Sequence, residues 1–253
     1  MGGGTTTREV VDARTLLDRS FELGRSGRHE EAVVTCREAI AAYRREAEVK
    51  IVVHEPGLAL TLMGLALSLQ SLALWSIALD ARGEAVKADL EAVAVHRQLI
   101  ELNPATDRSS FASALDRLSA LLAEQGDHDQ ALIACQEAVA QYRQVADLPS
   151  LAHALYHVAV RLGAVDRHDE ALAACTEAIG YFRELDPAEY LPELADALHN
   201  GAAELYELGR YDEGLAAINE AITLRRHRPD DDGGAKLAKS LRVRAVIVAK
   251  LNH

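Results

Sequence analysis

The sequence predicts an all-α stacked array of about five helical hairpins followed by a capping helix, and three observations carry that prediction. In five segments a small residue is followed seven positions later by alanine: Ala32 and Ala39, Ala85 and Ala92, Ala131 and Ala138, Ala171 and Ala178, Gly214 and Ala221. Twelve residues before each first member stands another small residue, Ser20, Ala73, Ser119, Ala159 or Ala202, and four before that a leucine, Leu16, Leu69, Leu115, Leu155 or Leu198. A short turn recurs between the two sets, as in Gly27-Arg28-His29-Glu30, Gly126-Asp127-His128-Asp129, Asp166-Arg167-His168-Asp169 and Gly209-Arg210-Tyr211-Asp212.

Each element has a physical reason. Residues four or seven apart share one helical face, so the leucine and small residue mark a first helix and the pair spaced by seven marks a second. Small side chains let the two helices approach closely. The turn places a turn former or N-cap three residues ahead of a carboxylate, which is a helix start. The frame recurs at steps of 53, 46, 40 and 43 residues, and a unit that cannot bury its apolar face alone is expected to stack. The expected repeats span about 8–50, 57–102, 107–146, 150–185 and 189–228. Long connections are expected at about 47–56 and 103–107, and residues 235–251, with Leu241 and Ala245 in frame, form the expected capping helix.

Leucine, small residue, glycine turn, aromatic or histidine, acid pair, alanine, large residue, alanine: this order resembles the tetratricopeptide repeat over about residues 8–251. The units exceed that family's usual length of about 34 residues and are similar to the longer repeats of kinesin light chain. The second copy is the poorest match, with Asp80 in place of the turn glycine and Asp89 where the others have Cys36, Cys135, Cys175 or Ile218. The resemblance implies one right-handed α-solenoid domain over residues 8–251.

Composition excludes several classes. Only 4% of residues are aromatic, so the core has to be built from Leu, Ala and Val. The three cysteines share one interior frame position in separate repeats, which argues against disulfides or a metal cluster and for buried structural thiols. Residues 1–7 lack the apolar core of a secretion signal and are expected to be disordered, with the protein in the cytoplasm. Leu58 to Leu79 is 22 residues without a charge, long enough to cross a bilayer. It holds Thr61, Ser68, Gln70, Ser71 and Ser76 and keeps the repeat register, so a buried helix and no membrane association are expected.

Charge is uneven. The net formal charge is −12, yet from Arg225 onward eight basic residues face three acidic ones, and the last helix carries Lys236, Lys239, Arg242, Arg244 and Lys250 with no acid. One short basic helix on an acidic chain is not the footprint of a nucleic-acid binder. It reads either as a solvated cap favoured by the helix dipole or as a docking surface for an acidic partner or a second copy. A homodimer through the apolar helix at 58–79 or through this basic helix stays open.

The resemblance places function on the concave groove lined by the first helices. Carried onto this sequence residue by residue, it implies an aliphatic part, with Arg14, Leu17, Asp18 and Phe21 and then Leu67, Gln70, Ser71, Leu74 and Ile77. A polar part follows, with Asp116, Arg117, His153, Tyr156, His157, Asp196, His199, Asn200, Lys239 and Arg242. Such a groove suits a peptide segment or partner protein, and a non-catalytic interaction scaffold is the expected function. The alternative is a small molecule or metal bound in the histidine-rich half, with His153, His157, His199 and Asp196 as the candidate ligands. His153 and His157 share a face, but no glutamate follows the first histidine to make a metalloprotease signature. No cofactor is expected, and the residues incline against an enzyme without deciding it. The carboxylate clamp used by some members of the family is represented only by Asn200 and Lys239, since Tyr156, Val160 and Val243 occupy its other positions. Regulation of transcription is not expected of this chain alone.

Overall fold

A computed structural model describes residues 12–53, 58–103, 108–227 and 234–252, and among these the chain is all helix, with eleven helices and no strand. The expected disordered segment at 1–7 and most of the connection at 103–107 lie outside the described residues. By contacts the chain divides into two compact units, Met1–Asp107 and Arg108–His253.

The first unit holds α1 (Ala13–Arg25), α2 (His29–Val53), α3 (Leu58–Ala78) and α4 (Arg82–Leu102). Consecutive helices pack pairwise, and α1 also reaches α3. Helix α2 runs through the stretch expected to be a connection at 47–53, because no glycine or proline interrupts it before Pro56. Helix α3 is, among the described residues, the one long and apolar enough to cross a membrane. Its mean hydropathy is 1.7 and 61% of that window is buried inside the fold. It packs between α2 and α4, which accounts for an apolar surface that runs all round the helix.

The second unit holds α5 (Arg108–Glu124), α6 (His128–Val145), α7 (Leu148–Gly163), α8 (His168–Glu184), α9 (Pro187–Glu207), α10 (Tyr211–His227) and α11 (Ala235–Leu251). Each packs on its neighbours in sequence, with α9 also touching α7 and α11.

The frame read from the sequence is the packing frame. Ala32, Ala39, Ala85, Ala92, Ala131, Ala138, Ala171, Ala178 and Ala221 are fully buried, as are Ser20, Ala73 and Ala202. Leu16 is half-buried, whereas the other four frame leucines are buried. The five turns between first and second helices share a left-handed residue: Gly27, Asp80, Gly126, Asp166 and Gly209, with φ between 57° and 83°. Glycine adopts this conformation without cost, and aspartate is among the side chains that tolerate it best. The second copy therefore keeps the register despite lacking the glycine, and Asp89 sits fully buried at the position of the cysteines.

Cys36, Cys135 and Cys175 are free and buried. Burial pushes the Cys36 thiol up to about 11 and those of Cys135 and Cys175 up to about 12, so none is a reactive thiolate near neutral pH. Exposed second-helix surfaces carry arginine–glutamate pairs between successive repeats, Arg37–Glu84 and Arg44–Glu91 in the first unit, Arg143–Glu177 and Arg183–Glu220 in the second. Exposed pairs of this kind each contribute at most about 1 kcal/mol.

Candidate functional site

Within the first unit, Arg14, Leu17, Asp18 and Phe21 of α1 and Leu67 of α3 meet at one cavity of about 470 Å³. Asp12 and Ala13 at the start of α1, Tyr43, Glu46 and Lys50 of α2 and Leu60, Thr61, Met63 and Gly64 of α3 complete its lining. The sequence reading missed the α2 contribution. Tyr43 lies four residues after Ala39, and the residue at that offset is buried in every repeat: Tyr43, His96, Tyr142, Phe182 and Arg225. That offset was visible as an aromatic in three copies. Gly64 lets Tyr43 approach, since a methyl there would lie 2.4 Å from its ring. Lys50 Nζ donates to Thr61 Oγ1 at 2.8 Å, fixing one charge at the rim. Gln70 points elsewhere and bonds the buried His96 Nε2 at 2.8 Å.

The second unit brings the polar candidates into three groups. Asp116 of α5 and His157 of α7 bond through Oδ1 and Nδ1 at 2.8 Å. With Tyr142, Pro149, Ser150 and His153 they line a shallow cavity of about 340 Å³. His153 packs edge-on against Phe182 and Tyr190, at 5.2 and 6.1 Å between ring centres. The Tyr156 phenol on α7 is pushed up by burial and then by the Asp196 charge, against a smaller opposing effect of the Asn200 side chain on the next first helix.

In the third group Asp196 of α9 accepts from Arg225 Nη2 at 2.5 Å and from Lys236 Nζ at 2.9 Å. Arg225 is 6% exposed and also donates to the Lys236 carbonyl at 2.7 Å and to Ser240 Oγ. His199 Nδ1 bonds the same Ser240 hydroxyl at 3.0 Å. Arg225 thus joins α9, α10 and the start of α11. Arg117 is half-buried on α5, while Lys239 and Arg242 are exposed on α11.

The four candidate metal ligands are directed to different partners: His153 to aromatic rings, His157 to Asp116, His199 to Ser240 and Asp196 to two cations. Among the described residues no group of three His, Cys, Asp or Glu side chains is arranged to hold a metal ion. Two turn histidines serve packing between repeats, as His29 stacks on Trp75 and His168 bonds Glu204 at 2.8 Å, whereas His128 is exposed.

Burial, reinforced by the neighbouring His157, holds His153 below its ordinary value of 6.5; burial and then Arg225 do the same to His199. The native state keeps these rings neutral while the unfolded chain takes up protons below 6.5. Their stability contribution is therefore present above that value and lost as pH falls toward their folded values. His168 runs the other way: its bond to Glu204 raises it, so its contribution is present below 6.5 and lost as pH rises through the folded value. Lowering pH from about 7.5 to about 5.5 is thus expected to give a fall in urea midpoint that His153→Phe flattens, since phenylalanine keeps the ring contacts and removes the titration. An equal slope in wild type and variant would refute this account.

Residues 110–184 match the family model described as tetratricopeptide repeat. Residues 57–102 and 192–240 match the model described as anaphase-promoting complex subunit 5. No curated protein matches this sequence. Among solved structures, BtubC (BKLC) from P. vanneervenii is 14% identical over 88% of this chain and 84% of its own, with a TM-score of 0.64. YrrB, described as a TPR protein with an unusual peptide-binding site, is 15% identical over 92% of each chain, with a TM-score of 0.63. The nearly identical TPR-like repeats of a putative kinesin light chain from P. anserina are 15% identical over 86% of this chain and 97% of theirs, with a TM-score of 0.59. Likeness at this identity is one of fold. Residues 110–184 are thus a tetratricopeptide repeat segment, and the chain shares its all-helical solenoid fold with tetratricopeptide repeat proteins and kinesin light chain-like arrays.

Proposed function

We propose that this protein is a non-catalytic interaction module whose first-helix faces hold a peptide segment of a partner protein. The observation that carries the reading is the first-unit cavity, where Leu17, Phe21, Met63 and Leu67 form an apolar floor and Arg14, Asp18, Glu46 and Lys50 stand around it. At about 470 Å³ it lies at the small end of ligand cavities. It suits one or two large apolar side chains of a peptide whose flanking residues meet charges of both signs. Asp116, His153, His157, Tyr156 and Asn200 supply polar contacts on the second unit's first-helix face. YrrB, of the same fold, is described as having a peptide-binding site, which supports the class of ligand.

Panning a phage-displayed random peptide library over the purified chain tests the reading. Selected peptides are expected to share an apolar anchor flanked by charge. Their binding is expected to weaken at least about tenfold, or about 1.4 kcal/mol, in Leu60→Glu, a substitution at a 68% exposed rim position that the fold tolerates. No enrichment, or peptides that bind Leu60→Glu and His157→Ala as well as wild type, would reject it.

A further inference from the structure

Helix α11 repeats the first-helix pattern, and among the described residues it packs on α10 and α9 with no second helix of its own. In the second to fifth repeats the first helix buries four residues, spaced as alanine, leucine three on, a small residue four further and an apolar or small residue three beyond. These are Ala66, Leu69, Ala73 and Ser76 in α3, Ala112, Leu115, Ser119 and Leu122 in α5, Ala152, Leu155, Ala159 and Leu162 in α7, and Ala195, Leu198, Ala202 and Leu205 in α9. All sixteen are at most 9% exposed. In α9 the covering contact is direct: a methyl at Gly214 of α10 would lie 3.3 Å from the Ala202 carbonyl and 3.4 Å from Leu205 Cβ.

The same four positions in α11 are Ala238, Leu241, Ala245 and Val248. Ala238 and Ala245 are exposed, Leu241 is 38% exposed and Val248 is half-buried. Ala249 extends the stripe, and beside it Ala245, Val246, Ala249 and Lys250 line a shallow concavity. A helix that only solubilised the array would turn a polar face outward, whereas α11 turns this apolar stripe outward.

Charge selects the occupant. The α11 stripe is bordered by exposed Lys239, Arg242, Arg244 and Lys250, and the helix has no acid. The helices that cover the equivalent stripes begin with acids: Glu84 in α4, Asp129 in α6, Asp169 and Glu170 in α8, Asp212 and Glu213 in α10. A second copy of this chain fits poorly. Its own second helices are buried on their first helices, and two α11 faces would oppose like charges. We infer that the open face of α11 is a docking site for an acidic amphipathic helix of a partner protein, one that carries small residues seven apart and completes a sixth hairpin. This surface is distinct from the first-helix faces assigned above to peptide binding.

The test uses the full chain and a fluorescein-labelled synthetic peptide with the sequence of residues 168–184, carrying Cys175→Ala, as a surrogate second helix. Fluorescence anisotropy is expected to show saturable binding that weakens with added salt. Ala245→Glu and Leu241→Glu are each expected to weaken it at least about tenfold, with the melting curve of the protein unchanged because both residues are exposed. A peptide with Ala171→Glu and Ala178→Glu is expected not to bind. Absence of saturable binding, or equal binding by the Ala245→Glu protein, overturns the inference. So does a dimer in sedimentation that Ala245→Glu dissociates, since the face would then belong to a second copy.

Discussion

Gly24→Ala is expected to destabilise the first unit by about 2–3 kcal/mol, the upper range for overpacking a filled core. A methyl at this position would lie 2.2 Å from Trp75 Cζ2 and 2.4 Å from Cε2 and Cη2. The indole cannot recede easily: it is buried and stacked on His29 at 5.6 Å with an interplanar angle of 22°. Relief requires α1 and α3 to separate, which weakens contacts along both helices. Alanine's intrinsic gain over glycine in a helix, about 1 kcal/mol, offsets only part of this. Trp75 is the single tryptophan, so its emission reports on this packing directly. A urea titration is expected to show a lower midpoint and an altered native emission maximum. Gly83→Ala is the control, since a methyl there meets nothing within 4 Å and the helical gain should appear unopposed. Equal midpoints for Gly24→Ala and wild type would mean that Trp75 has room the structure does not show.

The same close approach explains why so much of the fold was legible. Two helices packed at short distance need small residues at fixed offsets, so the geometry is written in residue volume, and Ala32, Ala85, Ala131 and Ala171 can be read without any coordinates. Turn geometry was legible where glycine provides the left-handed residue and obscured at Asp80 and Asp166, which adopt the same φ with a side chain. Helix length was less legible. Extension of α2 to Val53 depends on the absence of a breaker and on contacts with α3, neither of which the repeat frame specifies.

The polar candidates were legible as residues on one face and illegible as partners. Asp116 with His157 joins residues on successive first helices, a distance of about one repeat, and the pairing follows from the stacking register. Arg225 was hidden because it was counted with the basic tail, although it stands at the offset that Tyr43, Tyr142 and Phe182 fill with aromatic rings. A cation at a ring position is the sequence signal for a buried charge, and its counter-ion then has to come from the adjoining first helix.

That counter-ion is Asp196, and Asp196→Ala is expected to cost about 2–3 kcal/mol. Removing one member of a fully buried ion pair costs about 3–5 kcal/mol because the remaining charge stays in a poorly solvated place. Here the Arg225 side chain is 5% exposed but that of Asp196 is 25% exposed, so water reaching the site reduces the penalty. The loss should be nearly independent of salt, because a buried pair is weakly screened. Glu177→Ala, which removes the exposed pair with Arg143, should cost at most about 1 kcal/mol and less in high salt. The effect should also be local. Arg225 and Lys236 hold the first turn and a half of α11 against α9 and α10, so hydrogen exchange is expected to accelerate in residues 235–247 before the rest of the unit. Replacing both members, Asp196→Leu with Arg225→Met, should recover much of the loss, because apolar side chains of similar size leave no charge to solvate. If the double variant is as unstable as Asp196→Ala alone, the cost lies in lost packing and not in a stranded guanidinium, and the group that joins α9, α10 and α11 is held by shape instead of charge.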